Sequence, residues 1–263
     1  MPDRSNIVYV YDGSFEGVLC CVFACFERRE MPSGIFTQSE LPPTLFPQEV
    51  IPTELQKFER VKKGIITKIS IEAYELIVDI YFSCYPEKEW LICDFARLGF
   101  QMGRKITSCI TLDTVDAMLG AAKHLHNESH LLKGFVRFSD YDGVMVAVIE
   151  PKNFVLPTLS PHFCDRYAGE TFMIYDKTHS AALVHRPGEW RIIPITEFTE
   201  PEAGEYEQKI RSLWKLFYDT IAIKERDNPR CRMGHMPKRY WSHMTEMQNE
   251  NLLRPGMQSL PPR

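Results

Sequence analysis

"GFVRFSDYDGVMVAVIEP", residues 134–151, separates an all-helical chain from one that also builds a sheet. Apolar and polar positions alternate on both sides of Asp142-Gly143. That dipeptide suits a two-residue turn with positive φ at both positions, so the stretch predicts a β-hairpin. Downstream, "SPHFCDRYAG" (160–169) reads as a short helix and "TFMIYDKTHSAALVHRPGEWRIIPI" (171–195) as two or three further strands.

Upstream the period changes to that of helices. Ile7–Tyr11 reads as a strand, Asp12-Gly13-Ser14 as a turn with N-cap chemistry, and Phe15, Val18, Leu19, Val22 and Phe26 as one helix face. Residues 31–52, rich in Pro, Ser and Thr, predict a loop with short extended pieces. Thr53-x-x-Gln56 resembles a capping box opening a helix to Lys63. Three more helices are expected: Ile71–Tyr85, one starting at Pro86 with Leu91, Phe95, Leu98 and Met102 inside, and one from Asp113 or Thr114 to His130. A last long helix runs from Pro201 to Arg226, with Ile210, Leu213, Trp214, Phe217 and Ile221 facing inward, until Asn228-Pro229 stops it.

The expected fold class is therefore α+β: a helix-rich N-terminal half, a central antiparallel sheet and a long closing C-terminal helix. Residues 1–245 read as one domain with a helical subdomain over 53–132, and 246–263 as a mobile tail.

Of the 263 residues 44% are hydrophobic and 25% charged, ordinary for a globular chain. No apolar run reaches the roughly 18 residues of a membrane span, and the N-terminus has no signal-peptide pattern. The expectation is a soluble, cytoplasmic protein without a membrane partner. Eight cysteines in such a setting predict reduced thiols, and CCxxxC at 20–25 matches no common metal spacing. His124, His126 and His130 offer at most half a zinc site. Neither a metal nor a cofactor is expected.

Charge is unevenly spread. The net charge is −4, yet residues 209–243 hold nine Lys or Arg against three Asp or Glu, a local +6. Lys224, Arg226, Arg230, Lys238 and Arg239, with Tyr240 and Trp241 beside them, combine phosphate-binding cations with base-stacking rings. The competing explanation is a cationic helix C-terminus. Asp12, Gly13 and Ser14, at a helix start, and Arg137 are anion-binding candidates. Glu150 and His162 form a candidate acid–base pair with Arg166 to position an anion, against the alternative of internal salt bridges.

Four stretches together resemble a bacterial family: "YDGSFEGVLCCVF" (11–23), "HLLKGFVRF" (130–138), "EPKNFVLPTLSPHFCDRYAGETFMIYD" (150–176) and "LWKLFYDTIAIKERDNPRCRMGHMPKRYWSHMTE" (213–246). The family is described as a probable DNA metabolism protein. It is associated with a putative DNA modification or repair radical SAM protein, and its domain also occurs fused to uracil-DNA glycosylase-like domains. The chain has neither the radical SAM cysteine motif nor the glycosylase-like domain. The resemblance implies an accessory protein that binds DNA, with RNA as the open alternative, and acts with an iron–sulfur partner. A nucleic-acid-processing enzyme using Glu150 and His162, or an interaction scaffold without direct DNA binding, are the other readings.

Overall fold

A computed structural model describes residues 4–199, 203–221 and 228–247. The chain divides into two compact units, Met1–His126 and Asn127–Arg263.

In the first unit, β1 (Ser5–Tyr11) lies between β2 (Pro32–Thr37) and β3 (Gln48–Val50) and is parallel to both. α1 (Phe15–Arg28) carries the chain from β1 to β2, the kind of crossover a parallel pair requires. The expected strand and helix are present, and two of the extended pieces in 31–52 become sheet partners. Val18, Leu19 and Val22 are buried as their spacing implies, while Phe26 is exposed against Phe100. The capping-box reading at Thr53 fails. Glu54 precedes α2 (Leu55–Gly64) without a side-chain cap, and Thr53 Oγ1 donates to Asp12 Oδ2 at 2.8 Å. α3 (Ile71–Phe82), α4 (Lys88–Met102) and α5 (Asp113–Phe135) follow, and the boundary between the units falls within α5. Cys20, Cys21, Cys25 and Cys93 are buried, and none of the eight cysteines forms a disulfide.

The turn from β1 into α1 leaves no room for a side chain at Gly17. A Cβ there would collide with Asp12 Oδ1 and meet Tyr11 at 2.9 Å and Thr53 at 3.0 Å. Gly17→Ala is expected to destabilise the chain by about 1–3 kcal/mol through overpacking, measured by urea unfolding.

The second unit holds a five-stranded sheet in the order β4 (Ser139–Tyr141), β5 (Val144–Ile149), β6 (Phe172–Asp176), β7 (Ala181–Arg186), β8 (Glu189–Pro194). The predicted hairpin forms β4 and β5, with Asp142 at φ 53° and Gly143 at φ 85°. The expectation of an antiparallel sheet needs correction, because β5 and β6 run parallel. α6 (Leu156–Arg166) returns the chain to the starting edge between them, so the sheet is mixed. Phe172 is fully buried at its centre, edge-on to Phe138 and Tyr167 and stacked on His185 at 4.7 Å.

The long closing helix also needs correction. α7 (Glu205–Ile221) is followed by the short α8 (Pro229–His235) and by 3-10 turns at Lys238–His243 and Thr245–Met247. Residues 200–202 and 222–227, where the expected helix would begin and end, lie outside the described residues. The side chains expected to face inward, Ile210, Leu213, Trp214, Phe217 and Ile221, are exposed. Glu246, expected to open a mobile tail, is buried, and 248–263 lies outside the described residues. Among the described residues no helix is long and apolar enough to cross a membrane.

Candidate nucleic-acid interface

Of the described cations of the basic segment, Arg230 and Lys238 are exposed and Arg239 is engaged by a carboxylate. Lys224 and Arg226 lie outside the described residues. Arg230 is exposed on α8, and Lys238 is exposed with its ammonium 5.9 Å from the Trp241 ring. Trp241 is half-buried, and its indole N–H donates to the Met236 carbonyl at 2.9 Å.

Arg239 and Tyr240 point inward, to Glu128. This carboxylate, 2% exposed on α5, accepts from the backbone N–H groups of Lys152 and Asn153 and from Asn153 Nδ2 at 2.6 Å. Arg239 Nη2 pairs with it at 2.8 Å, and the Tyr240 hydroxyl lies 3.3 Å away and accepts from Arg239. Burial works to raise the Glu128 pKa, but the Asn153 and Lys152 donors and the Arg239 charge outweigh it and hold the carboxyl below its ordinary value. Burial and the Glu128 charge push Tyr240 up to about 12. Arg239 and Tyr240 thus lock the C-terminal segment onto α5, and the expectation that they meet phosphate and base is corrected. A signal for this was present in the sequence. The buried positions Met118, Ala121, Ala122, Leu125 and Leu132 run down one stripe of α5, and Glu128 interrupts it. A carboxylate on such a stripe needs buried donors.

A different surface gathers free positive charge. A cleft of about 640 Å³ in the second unit is lined by Lys133 and Arg137 from the end of α5 and the residues after it, Arg166 and Tyr167 from the end of α6, and Arg211 and Trp214 from α7. Two of the four cations are committed internally. Arg137 donates to both Glu246 oxygens at 2.6 and 3.2 Å and to the carbonyls of Gly134 and Val136. Arg211 binds Glu207 at 2.8 Å and the Ser139 hydroxyl. Arg137 is therefore a framework residue, not the free anion ligand expected of it. Lys133 and Arg166 are exposed and, among the described residues, have no carboxylate within ion-pair distance. Their field reaches His162, whose pKa is lowered by partial burial and then by the Lys133 and Arg166 charges. The Asp165 charge acts the other way but is outweighed, and two cations without ion-pair partners, with Tyr167 under the Arg166 guanidinium at 5.7 Å, are a receptive place for an anion.

The acid–base pair is not assembled. The Glu150 carboxylate is bound by Lys177 at 2.8 Å, which leads in holding its pKa down, His243 Nε2 lies 3.3 Å away, and His162 is not among its partners. The β1–α1 turn already contains its own anion. Asp12 Oδ1 accepts from the Ser14 N–H and hydroxyl, and the Ser14 hydroxyl caps Gly17 N–H at 2.9 Å. An external anion at Asp12, Gly13 and Ser14 would meet this carboxylate. Of the three histidines, His126 binds Asp79 at 2.7 Å, His124 contacts the Cys84 thiol and His130 is exposed. Among the described residues no group of three or more His, Cys, Asp or Glu side chains could hold a metal.

No curated protein matches the chain. No solved structure matches it either. A family model does match over residues 86–246, more than half of the chain and including every cleft residue named above. The chain belongs to this family, DUF4130, a domain of unknown function.

Proposed function

We propose that this protein binds nucleic acid, with an unpaired DNA strand as the favoured ligand, through the cleft of its second unit. It would serve as an accessory to DNA repair or modification, handing the strand to a radical SAM partner that carries the iron–sulfur chemistry. The observation supporting this reading is the pair of exposed cations, Lys133 and Arg166, without carboxylate partners beside the Tyr167 ring. Two cations meet successive phosphates, and an aromatic face stacks an unpaired base at about 1–3 kcal/mol whatever its sequence. A duplex keeps its bases paired and gains only the phosphate attraction, so single strands are favoured. The association with DNA metabolism, the radical SAM partner and the kinship to domains fused to glycosylase-like proteins come from the family resemblance.

Fluorescence anisotropy with labelled single- and double-stranded oligonucleotides over a salt series tests the reading. Lys133→Glu with Arg166→Glu is expected to weaken single-strand binding at least tenfold. The double substitution should flatten the slope of log K against log salt by about 1.4, or about 0.7 for each phosphate no longer neutralised. Arg230→Glu, outside the cleft, should change little. Unchanged affinity in the cleft variant would refute the assignment of the site, and no binding at low salt would refute the function.

A further inference from the structure

We infer that two copies of this chain pair through α7, the helices running antiparallel about a point between Leu213 and Trp214. The observation is an apolar stripe that the described residues of the second unit leave uncovered: Tyr206 is 72% exposed, Leu213 and Phe217 52% each and Ile221 58%, with Ile210 and Trp214 also exposed. Residues 206, 210, 213, 217 and 221 recur at intervals of three and four and so lie on one side of the helix, with Trp214 at its edge. The adjoining side carries Glu207, tied to Asp140 N–H, and Arg211, tied to Ser139, and at the stripe's edge the Trp214 indole N–H is tied to Glu246, so α7 is seated on its own unit by polar contacts. Trp214 apart, the apolar side chains Tyr206, Ile210, Leu213, Phe217 and Ile221 stay exposed among the described residues.

The spacing of the stripe is palindromic, which selects the occupant. In an antiparallel pair, Tyr206 falls opposite Ile221 of the other protomer, Ile210 opposite Phe217, and Leu213 opposite Trp214. A two-fold axis requires this self-matching, and two-fold dimers are the commonest closed assemblies. In the same register Lys209 faces Tyr218 and Lys215 faces Ser212, so neither lysine is set against another cation. The exposed apolar groups of α7 amount to roughly 700 Å², beyond the largest patch of most monomers and near the roughly 800 Å² per partner of a standard stable interface. Ile210 and Trp214 also line the cleft, so pairing would put the second protomer at the cleft rim and two clefts on one assembly.

Sedimentation equilibrium of the full chain is expected to give twice the 30.6 kDa chain mass, with a Kd of about 1 µM or tighter. Leu213→Glu with Phe217→Glu should reduce this to the monomer mass while circular dichroism stays unchanged, since both side chains face solvent in the single chain, and the melting temperature should fall and lose its dependence on protein concentration. The register is tested by joining Ile210→Cys and Phe217→Cys in a background with Cys84→Ser and Cys231→Ser, where mild oxidation should give a covalent dimer. Phe217→Cys alone should not cross-link, because the two copies of that position lie on opposite sides of the axis, about 10 Å apart along the helices and beyond disulfide reach. A wild-type chain that stays monomeric to about 100 µM would overturn the proposal, as would a dimer indifferent to the glutamates. A glutamate-sensitive dimer cross-linked by Phe217→Cys alone would overturn the antiparallel arrangement.

Discussion

Glu128→Ala is expected to destabilise the protein by about 3–5 kcal/mol, the usual cost of removing one member of a buried ion pair. The effect exceeds that of a single hydrogen bond, because the carboxylate is the common acceptor for the Lys152 and Asn153 N–H groups, the Asn153 amide and Arg239. Alanine removes this shared acceptor from a site where Asn153 is fully buried. Arg239→Ala should cost less, about 1–2 kcal/mol, since Glu128 would keep its three amide donors and the arginine side chain is one-third exposed. Urea unfolding of the two variants checks the order. If Arg239→Ala left stability untouched and weakened oligonucleotide binding instead, the lock would be wrong and the phosphate role restored. The carboxylate also carries a pH signature. Its folded pKa lies below the unfolded value, so its stabilisation is complete above about pH 4.3 and is lost as pH falls through the folded value. Glu207 and Glu246 shift in the same direction, so the second unit should lose stability on acidification, and Glu128→Gln should flatten the dependence of the melting temperature on pH below about 4.3.

Glu246→Gln is expected to move stability and binding in opposite directions. Glu246 is 7% exposed, held by Arg137 at 2.6 Å and by the Trp214 indole N–H at 3.2 Å. Burial raises its pKa, but Arg137 and the other donors outweigh that and keep it ionised. Glutamine preserves the shape and one acceptor but removes the charge, costing about 1.5–3 kcal/mol. The same change leaves the Arg137 guanidinium uncompensated at the cleft wall. Single-strand affinity should rise several-fold, and the salt slope should steepen by about 0.7 for one more neutralised phosphate. Anisotropy and urea unfolding on one preparation read both quantities. A fall in affinity parallel to the fall in stability would mean that the cleft needs the pair only for its shape and that phosphate attraction is not what it offers.

Much of the fold could be read from neighbouring residues. The hairpin followed from Asp142-Gly143, the Ser14 cap from its place before an apolar helix face, and most of the inner faces of α1 and α4 from their spacing, though Phe26 and Met102, placed inside, are exposed at the ends of those helices. The parallel pairing of β5 with β6 could not, because strand direction depends on where α6 delivers the chain. The site was less legible. Arg137 and Arg166 were both candidates, and their sequence surroundings do not show that the first is consumed by a glutamate 109 residues away while the second remains open. The inward assignment of the α7 stripe failed similarly: its period shows that the helix has an apolar side, but not that the unit covers that side.

Helices, turns and caps depend on groups within about four positions along the chain, and their residues carry that information in order. Net local charge is equally plain, and the +6 around the last helices is real. What folding adds is the pairing of those charges. Tyr240 reaches a carboxylate 112 residues away and Arg239 joins it, while Lys133 and Arg166 stay exposed at the ends of α5 and α6. A charge is available to a ligand only after the chain has chosen which carboxylates to bury against which cations, and that choice is made by packing in three dimensions.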